Sequence, residues 1–243
     1  MRIAIYGPGR LGRTLAELLP AAGHQVVIWR RGEPHPTCDV AWLTVSDAAI
    51  ASVSSLVPAG PIVLHASGSQ GLGPVAQHTE HGSLHPLQSF PGPEVAIPPI
   101  QDVPAAIAGT PAALDASRQL ALDLGFSPFH VPGDRRLYHA SAVMAGNFAT
   151  VLLQAASQLM AEAGVDPGQA PALLAPLAMA SLKQAALSSP AQALTGPFAR
   201  GDEPVIAQHQ AAIREHRPEL SELYEALAVQ ARVLAKDFPS KTR

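Results

Sequence analysis

Short apolar runs alternate with segments of helical period through the first half of the chain. Strands are predicted at residues 2–6, 25–29 and 40–45, with a helix at 10–22 between the first two. The pattern continues as a helix at 47–56, a strand at 61–65, a short helical piece near 72–77 and a strand around 82–85. A proline-rich loop through Pro98 and Pro99 leads to a strand near 105–108, a helix at 111–124 and a strand at 126–131. Strands separated by helices are the grammar of a parallel sheet. After Pro132 and Gly133 the β signals stop. The remainder reads as helices at about 135–163 and 168–188, a loop at 194–202, and helices either side of Pro218. The fold class is therefore α/β, with a domain 1–132 built on a parallel sheet and an all-helical domain 133–243.

The expected long helix at 135–163 is apolar around most of its circumference, with Val143, Met144, Phe148, Val151, Leu152, Leu153 and Met160 spread over several faces. A helix of that kind has to be covered on all sides. One small domain covers only part of it, so the helical domain is expected to make a homodimer; wrapping by helices of the same chain is the alternative. From Leu137 to Ala161 there is no Asp, Glu, Lys or Arg, which is long enough to cross a bilayer by length alone. His139, Ser141, Asn147, Gln154 and Gln158 lie within it, and they favour packing against protein over lipid.

Composition narrows the classes of function. The 243 residues are 47% hydrophobic, enough for a sizeable core. Sixteen basic and nineteen acidic residues give a formal charge of −3 with no run of one sign, which lacks the basic footprint of a nucleic-acid binder. A small-molecule ligand is the remaining expectation. Cys38 is the single cysteine, so no intramolecular disulfide and no multi-thiolate zinc site can form. A reducing cytoplasm is the expected compartment. Met1 and Arg2 lead directly into Ile3, so no cleavable export signal is expected.

Between the first strand and first helix stand Gly7, Pro8, Gly9, Arg10, Leu11 and Gly12, a Gly-x-Gly-x-x-Gly turn. Its glycines suit a tight turn, close backbone approach to a diphosphate and close helix packing, with the helix amides meeting the phosphates. A dinucleotide site is therefore expected here. An NAD site places an acid at the end of the second strand. Here Trp29, Arg30 and Arg31 stand there, with no acid before Glu33. Paired guanidinium groups suit the additional phosphate of NADP. Val45, ending the third expected strand, completes the cofactor-binding set.

In such sheets ligands lie beyond the carboxyl ends of the strands. Two polar clusters fall there, His65-Ala66-Ser67-Gly68 and Ser83-Leu84-His85-Pro86. An imidazole can exchange a proton in step with hydride movement, and a hydroxyl can orient it. His85 with Ser67 is the expected pair. His65 reads as a strand-end residue bonded to backbone, and His78 and His81 as solvent-facing. No carboxylates accompany these histidines, so no metal is expected.

Gly7–Gly12, His65–Gly68, the Gly-Ser-Leu-His-Pro-Leu-Gln-Ser-Phe of 82–90 and the Leu-Thr-Gly-Pro-Phe-Ala-Arg-Gly-Asp of 194–202 together resemble the Rossmann-like proteins that carry the helical domain of unknown function numbered 2520. That family is similar to pyrroline-5-carboxylate reductases, ketopantoate reductases and prephenate dehydrogenases. The resemblance implies an NADP-dependent oxidoreductase, a Rossmann domain followed by a helical dimerisation domain, and no fixed substrate. In prephenate dehydrogenases a Ser and the His of a His-Pro pair act together, and Ser67 and His85 match them. The related β-hydroxyacid dehydrogenases place a catalytic Lys four residues before an Asn. Here Asn147 is present and Val143 takes the Lys position, so no mechanism through that lysine is available. Asn147 can bind substrate or the nicotinamide amide, with His139 two helical turns earlier.

In the loop 194–202, Asp202 is expected to cap a helix beginning at Glu203 and Pro204. Arg200 is expected to clamp a substrate carboxylate. Similarity to pyrroline-5-carboxylate reductases implies that Thr195 and Arg200 reach the partner's cofactor cleft. The expected function is hydride transfer between NADP(H) and a small, anionic metabolite, by His85, Ser67, Asn147 and Arg200. A cofactor-sensing or partner-binding protein without turnover, and a dimerisation module with a vestigial site, stay open.

Overall fold

The computed structural model describes residues 1–92 and 94–237, so 238–243 of the expected second domain lie outside the described residues. The chain divides into two compact units, Met1–Gly146 and Asn147–Arg243.

The first unit is organised on a seven-stranded sheet in the order β2-β1-β3-β4-β5-β6-β7. Its strands are β1 Arg2–Tyr6, β2 Gln25–Trp29, β3 Val40–Leu43, β4 Ile62–His65, β5 His81–Pro86, β6 Val103–Gly109 and β7 Phe126–His130. The central strands are buried on both faces, which is why β1 and β3 read as unbroken apolar runs. Side chains alternate between two layers. Ile3 and Ile5 join Leu15 and Leu19 of α1 (Arg10–Ala21) and Leu120 of α3 (Pro111–Asp123). Ala4 and Tyr6 face Ile50 and Val53 of α2 (Ile50–Ser54). The expected helix at 47–56 is thus a 3-10 turn, Asp47–Ala49, leading into this short α2.

Strands β1 to β5 are parallel; β5 and β6 pair antiparallel, and β7 runs with β6. The expectation of a parallel sheet therefore needs correcting at its far edge. A parallel return requires a crossover element. The segment 87–102 contains no helix among its described residues, so the chain turns back and pairs Pro86 with Ala105.

Register fixes the functional edge. Tyr6 pairs with Leu43, Leu43 with His65 and His65 with Ser83, so Gly7, Val45, Ser67 and His85 all lie just beyond this line at the carboxyl ends of parallel strands. The chain leaves β1 for β2 on one side and continues through β3 on the other, which opens the crevice where such sheets bind ligands.

The first unit also holds α4 (Arg135–Ala145). The boundary accordingly falls after Gly146 rather than near Pro132, because Tyr138 of α4 packs on Phe129 and His85. The single long helix expected at 135–163 is two, α4 and α5 (Asn147–Glu162), interrupted at Gly146, which sits at φ −101° and ψ −70°. Glycine is among the weakest helix formers, and the interruption coincides with the change of unit.

The second unit is helical: α5, α6 (Ala170–Leu187), α7 (Pro190–Ala193), α8 (Gly196–Arg200), α9 (Glu203–His216) and α10 (Ser221–Asp237). The expected loop 194–202 thus contains α8, with Pro197 in its first turn and Gly201 in the left-handed conformation at its end. Asp202 caps α9 as expected, accepting from the Val205 amide at 3.4 Å. Arg232 pairs with Glu203 at 2.7 Å and lies over the Phe198 ring, tying α10 to α8 and α9. Phe198 of the distinctive loop therefore packs inside this unit. By length and composition, Arg135–Glu162 and Ala170–Leu187 are apolar enough to cross a bilayer.

Candidate functional site

The turn after β1 shows which of its glycines the chain itself demands. Gly7 has φ 111°, a left-handed conformation, and its carbonyl oxygen accepts the Thr44 hydroxyl at 2.6 Å. A Cβ on Gly12 would stand 2.1 Å from that same oxygen and 2.6 Å from the Thr44 hydroxyl. Both glycines are required by packing. Gly9 differs: its φ is −73°, and the nearest atom to a Cβ there is 3.9 Å away. Nothing in the chain requires a glycine at this position, whereas close approach of a ligand backbone would.

Helix α1 begins at this turn with no capping side chain and no acid in its first turn, so its field and amides face outward unopposed. A cavity of about 470 Å3 opens here, lined by Pro8, Gly9, Arg10 and Arg13 together with Val95 and Ile97 of the long loop. Leu11 is half-buried against the core and Val45 packs on Gly7, so these two shape the turn. At the end of β2, Arg30 and Arg31 are exposed, and among the described residues no carboxylate lies within ion-pair distance of either. Glu33 is folded back, its carboxylate accepting the Arg30 amide at 3.3 Å. These residues fit a dinucleotide with an additional phosphate: a bare Gly9, an open helix start and two unpaired guanidinium groups.

Along the sheet edge lies a second cluster. His65 is fully buried; its Nδ1 accepts the Ser67 amide at 3.2 Å and its Nε2 faces the Gly71 carbonyl at 3.1 Å. Those partners fix a neutral ring with the proton on Nε2. Burial, reinforced by the Arg135 charge, brings its pKa down to about 4. His65 is the backbone-bonded strand-end residue anticipated from sequence. His78 and His81 instead bond Ser54 and the His78 carbonyl and are not simply solvent-facing.

His85 is partly buried, with Nδ1 2.8 Å from the Tyr138 hydroxyl. The expectation that Ser67 orients it is corrected: the Ser67 hydroxyl accepts the Gln70 amide at 3.0 Å, and no bond from it to His85 is present. A serine hydroxyl is easily captured by an amide a few residues on, and here it builds the turn after β4. Burial, then the Arg135 charge and His139, lowers the His85 pKa to about 4. His85 and His139 both rest on Gly68, where a Cβ would stand 2.9 Å from His85 Nε2 and 2.8 Å from His139 Cδ2.

Two members of the cluster, Arg135 and Tyr138, were not anticipated. Arg135, Tyr138 and His139 are spaced three and four residues apart and share one face of α4, a legible signal. Asp134 caps the helix by accepting the Arg136 amide at 2.8 Å and pairs with the Arg136 guanidinium at 2.6 Å. Arg136 is thus held outward while Arg135 turns in, donating to the Ser67 carbonyl at 3.0 Å. Asn147 and Arg200 belong to the second unit, both exposed, Asn147 opening α5 and Arg200 ending α8. Among the described residues, no group of three or more His, Cys, Asp or Glu is placed to hold a metal ion.

A family model described as a domain of unknown function, DUF2520, matches residues 103–231. The chain belongs to this family. The DUF2520 match runs from β6 into α10 and so spans parts of both units. Among curated proteins none matches the chain. Solved structures do. A proposed NADP oxidoreductase from Bacteroides fragilis aligns with a TM-score of 0.80 at 20% identity, covering 96% of this chain and 98% of its own. A 1-pyrroline-5-carboxylate reductase from Streptococcus pyogenes aligns at 0.62 and 13% identity, over 96% and 98%. A reductive aminase from Aspergillus terreus, solved with NADPH and ethyl levulinate, aligns at 0.63 and 17%, over 98% and 99%. At these identities the DUF2520 chain shares a fold with them, α/β with a mostly parallel sheet followed by helices.

Proposed function

We propose that this DUF2520 protein is a cytoplasmic NADP(H)-dependent reductase or dehydrogenase acting on a small anionic metabolite. The observation that carries this is Gly9, a glycine for which packing gives no reason, in the turn where a diphosphate would approach. Reductases among the structural neighbours and the NADPH of the Aspergillus terreus enzyme support the choice of chemistry. Bound NADPH would supply the hydride. The chain's part is to hold the diphosphate at Gly7–Gly12, receive the additional phosphate on Arg30 and Arg31, and exchange a proton at the imidazole of His85. Asn147 and Arg200 stay as candidates for holding substrate, on their chemistry alone.

Calorimetry is expected to show NADPH binding at least tenfold tighter than NADH, a gap of about 1.4 kcal/mol. Arg30→Glu combined with Arg31→Glu should remove that preference. Equal affinities in the wild type would overturn the assignment. A sensor without turnover is the second reading, favoured by the low pKa that leaves His85 neutral in the free protein. NADPH oxidation with 2-oxo acids or cyclic imines separates the two.

We also infer a homodimer. Leu173, Leu177, Met179, Leu182 and Leu187 of α6 are all more than half exposed, as are Phe148 and Val151 of α5. Covering the part of each side chain that is still open gains on the order of 1 kcal/mol. Ser181, Lys183 and Gln184 on α6 fit a protein partner better than lipid. Light scattering at micromolar concentration should give twice the 25.2 kDa chain mass. A monomer, or partition into membranes, would overturn the inference.

A further inference from the structure

Arg135 is the least satisfied charge in the first unit. One of its nitrogens donates to the Ser67 carbonyl at 3.0 Å. Its Nε and Nη1 are shut off from water and have no acceptor. Among the described residues no carboxylate lies within ion-pair distance; the adjacent Asp134 is taken by Arg136. Its guanidinium carbon sits 5.2 Å from the centre of the Tyr138 ring, a contact that steadies a cation without supplying a counter-charge. A buried guanidinium left in this condition is costly, and orphaned polar groups of this kind call for a specific explanation. The residue as a whole keeps partial exposure, although these two nitrogens themselves are covered.

We propose that Arg135 is the receptor for a carboxylate on the substrate, and that the bound carboxylate lies beside His85 at the reacting end of the crevice. The placement follows from the contacts: Tyr138 lies under Arg135 and bonds His85 Nδ1, and Ser67 joins Arg135 to the turn that carries Gly68. A single positive charge matches a monoanion, and the donor-rich fork of arginine suits a planar carboxylate. This rests on the proposed NADP-dependent function and names its substrate class: 2-oxo acids or imino acids rather than uncharged ketones or imines.

Occupancy also alters His85. The charged and titratable groups that influence it are Arg135, His139 and His65, which oppose its protonation, and Asp47, which favours it; Tyr138 is its hydrogen-bond partner. A carboxylate on Arg135 cancels the largest of the opposing charges. His85 then takes up a proton at higher pH, so the anion that is bound prepares the proton donor that serves it.

The test uses the full chain saturated with NADP+, titrated by calorimetry with pyruvate, its neutral analogue pyruvamide, and inorganic phosphate. His85 is followed by nitrogen NMR. Pyruvate should bind wild type at least tenfold more tightly than Arg135→Gln, and more tightly than either other probe. NADP+ affinity should be the same in both proteins. The His85 pKa should rise on adding pyruvate, and should already be raised in Arg135→Gln without it. A structural role alone would not move that titration in response to ligand. Equal pyruvate affinity in the two proteins, no pyruvate binding to wild type, preference for phosphate, or an unresponsive His85 would each overturn the proposal. Should Arg135→Gln not fold, Arg135→Lys keeps the charge and loses the fork; it should bind pyruvate more weakly than wild type, and equal binding overturns the proposal. If wild type binds no NADP+, the functional reading falls, while the pyruvate titration of the cofactor-free protein still decides the role of Arg135.

Discussion

Gly12→Ala is expected to cost about 3 kcal/mol of stability and to abolish measurable NADPH binding. The added methyl would lie 2.1 Å from the Gly7 carbonyl oxygen and 3.2 Å from its carbon. That carbonyl cannot simply retreat, because the Thr44 hydroxyl donates to it at 2.6 Å and the Thr44 amide donates to Tyr6 at 2.8 Å. Relief would require moving α1 off β1 and β3, and with it Leu15 and Leu19, both fully buried. Gly9→Ala is the matched control. Its methyl has nothing closer than 3.9 Å, so the variant should melt as wild type does while binding NADPH at least tenfold more weakly. The urea midpoint and a calorimetric titration of each variant check this. A Gly12→Ala protein with wild-type stability and affinity would show that the turn is not built as described. A Gly9→Ala protein with wild-type affinity would remove the main support for a nucleotide there.

Much of the first unit was legible because its strands announce themselves. Ile3 to Tyr6 and Val40 to Leu43 are buried on both sides, so their apolar runs admit few other roles, and the glycine turn between β1 and α1 is a local signal. The direction of β6 was not legible from its own residues, since a strand's composition does not say which way it runs; the clue lay in the helix-free, proline-rich segment before it. The same limit applies at the site. His85 could be nominated from its place at a strand end, but its partner Tyr138 is 53 residues away and Arg135 is 68 residues from Ser67. Which hydroxyl reaches an imidazole depends on where α4 lands on the sheet, and that is a result of packing. Ser67 looked equally suitable until its hydroxyl was seen to be occupied by a neighbouring amide. In the loop 194–202, the chemistry of proline, glycine and aspartate located the start of α9 correctly, whereas the short α8 within it was hidden by those same residues.

The first unit should lose stability as the pH falls from 6.5 towards 4, beginning above the range in which carboxylates ordinarily take up protons. His65 and His85 are each brought from an ordinary 6.5 down to about 4, chiefly by burial. The sign follows directly. Above 6.5 both folded and unfolded chains hold these rings neutral, and the full stability is present. As the pH falls through 6.5 the unfolded chain takes up protons that the folded chain refuses until about 4, so unfolding is progressively favoured. For His65, fully buried with both ring nitrogens committed, the shift corresponds to roughly 3 kcal/mol. His85 contributes less, because it is partly open to solvent. Asp134, held at about 2 by Arg136, and Asp39, held below its ordinary value by Arg2, add their own losses from about pH 5 downward, so the fall between pH 6.5 and 5 belongs to the imidazoles. The two tryptophans, Trp29 and Trp42, are buried in this unit, so their fluorescence reports on it alone. Urea unfolding followed by that signal should show a clear fall in midpoint from pH 7 to pH 4.5. In His65→Asn the pH 7 midpoint should be lower and the dependence on pH shallower. A wild type equally stable at both pH values, or a His65→Asn protein with an unchanged slope, would mean that the buried imidazole is not held neutral by the fold.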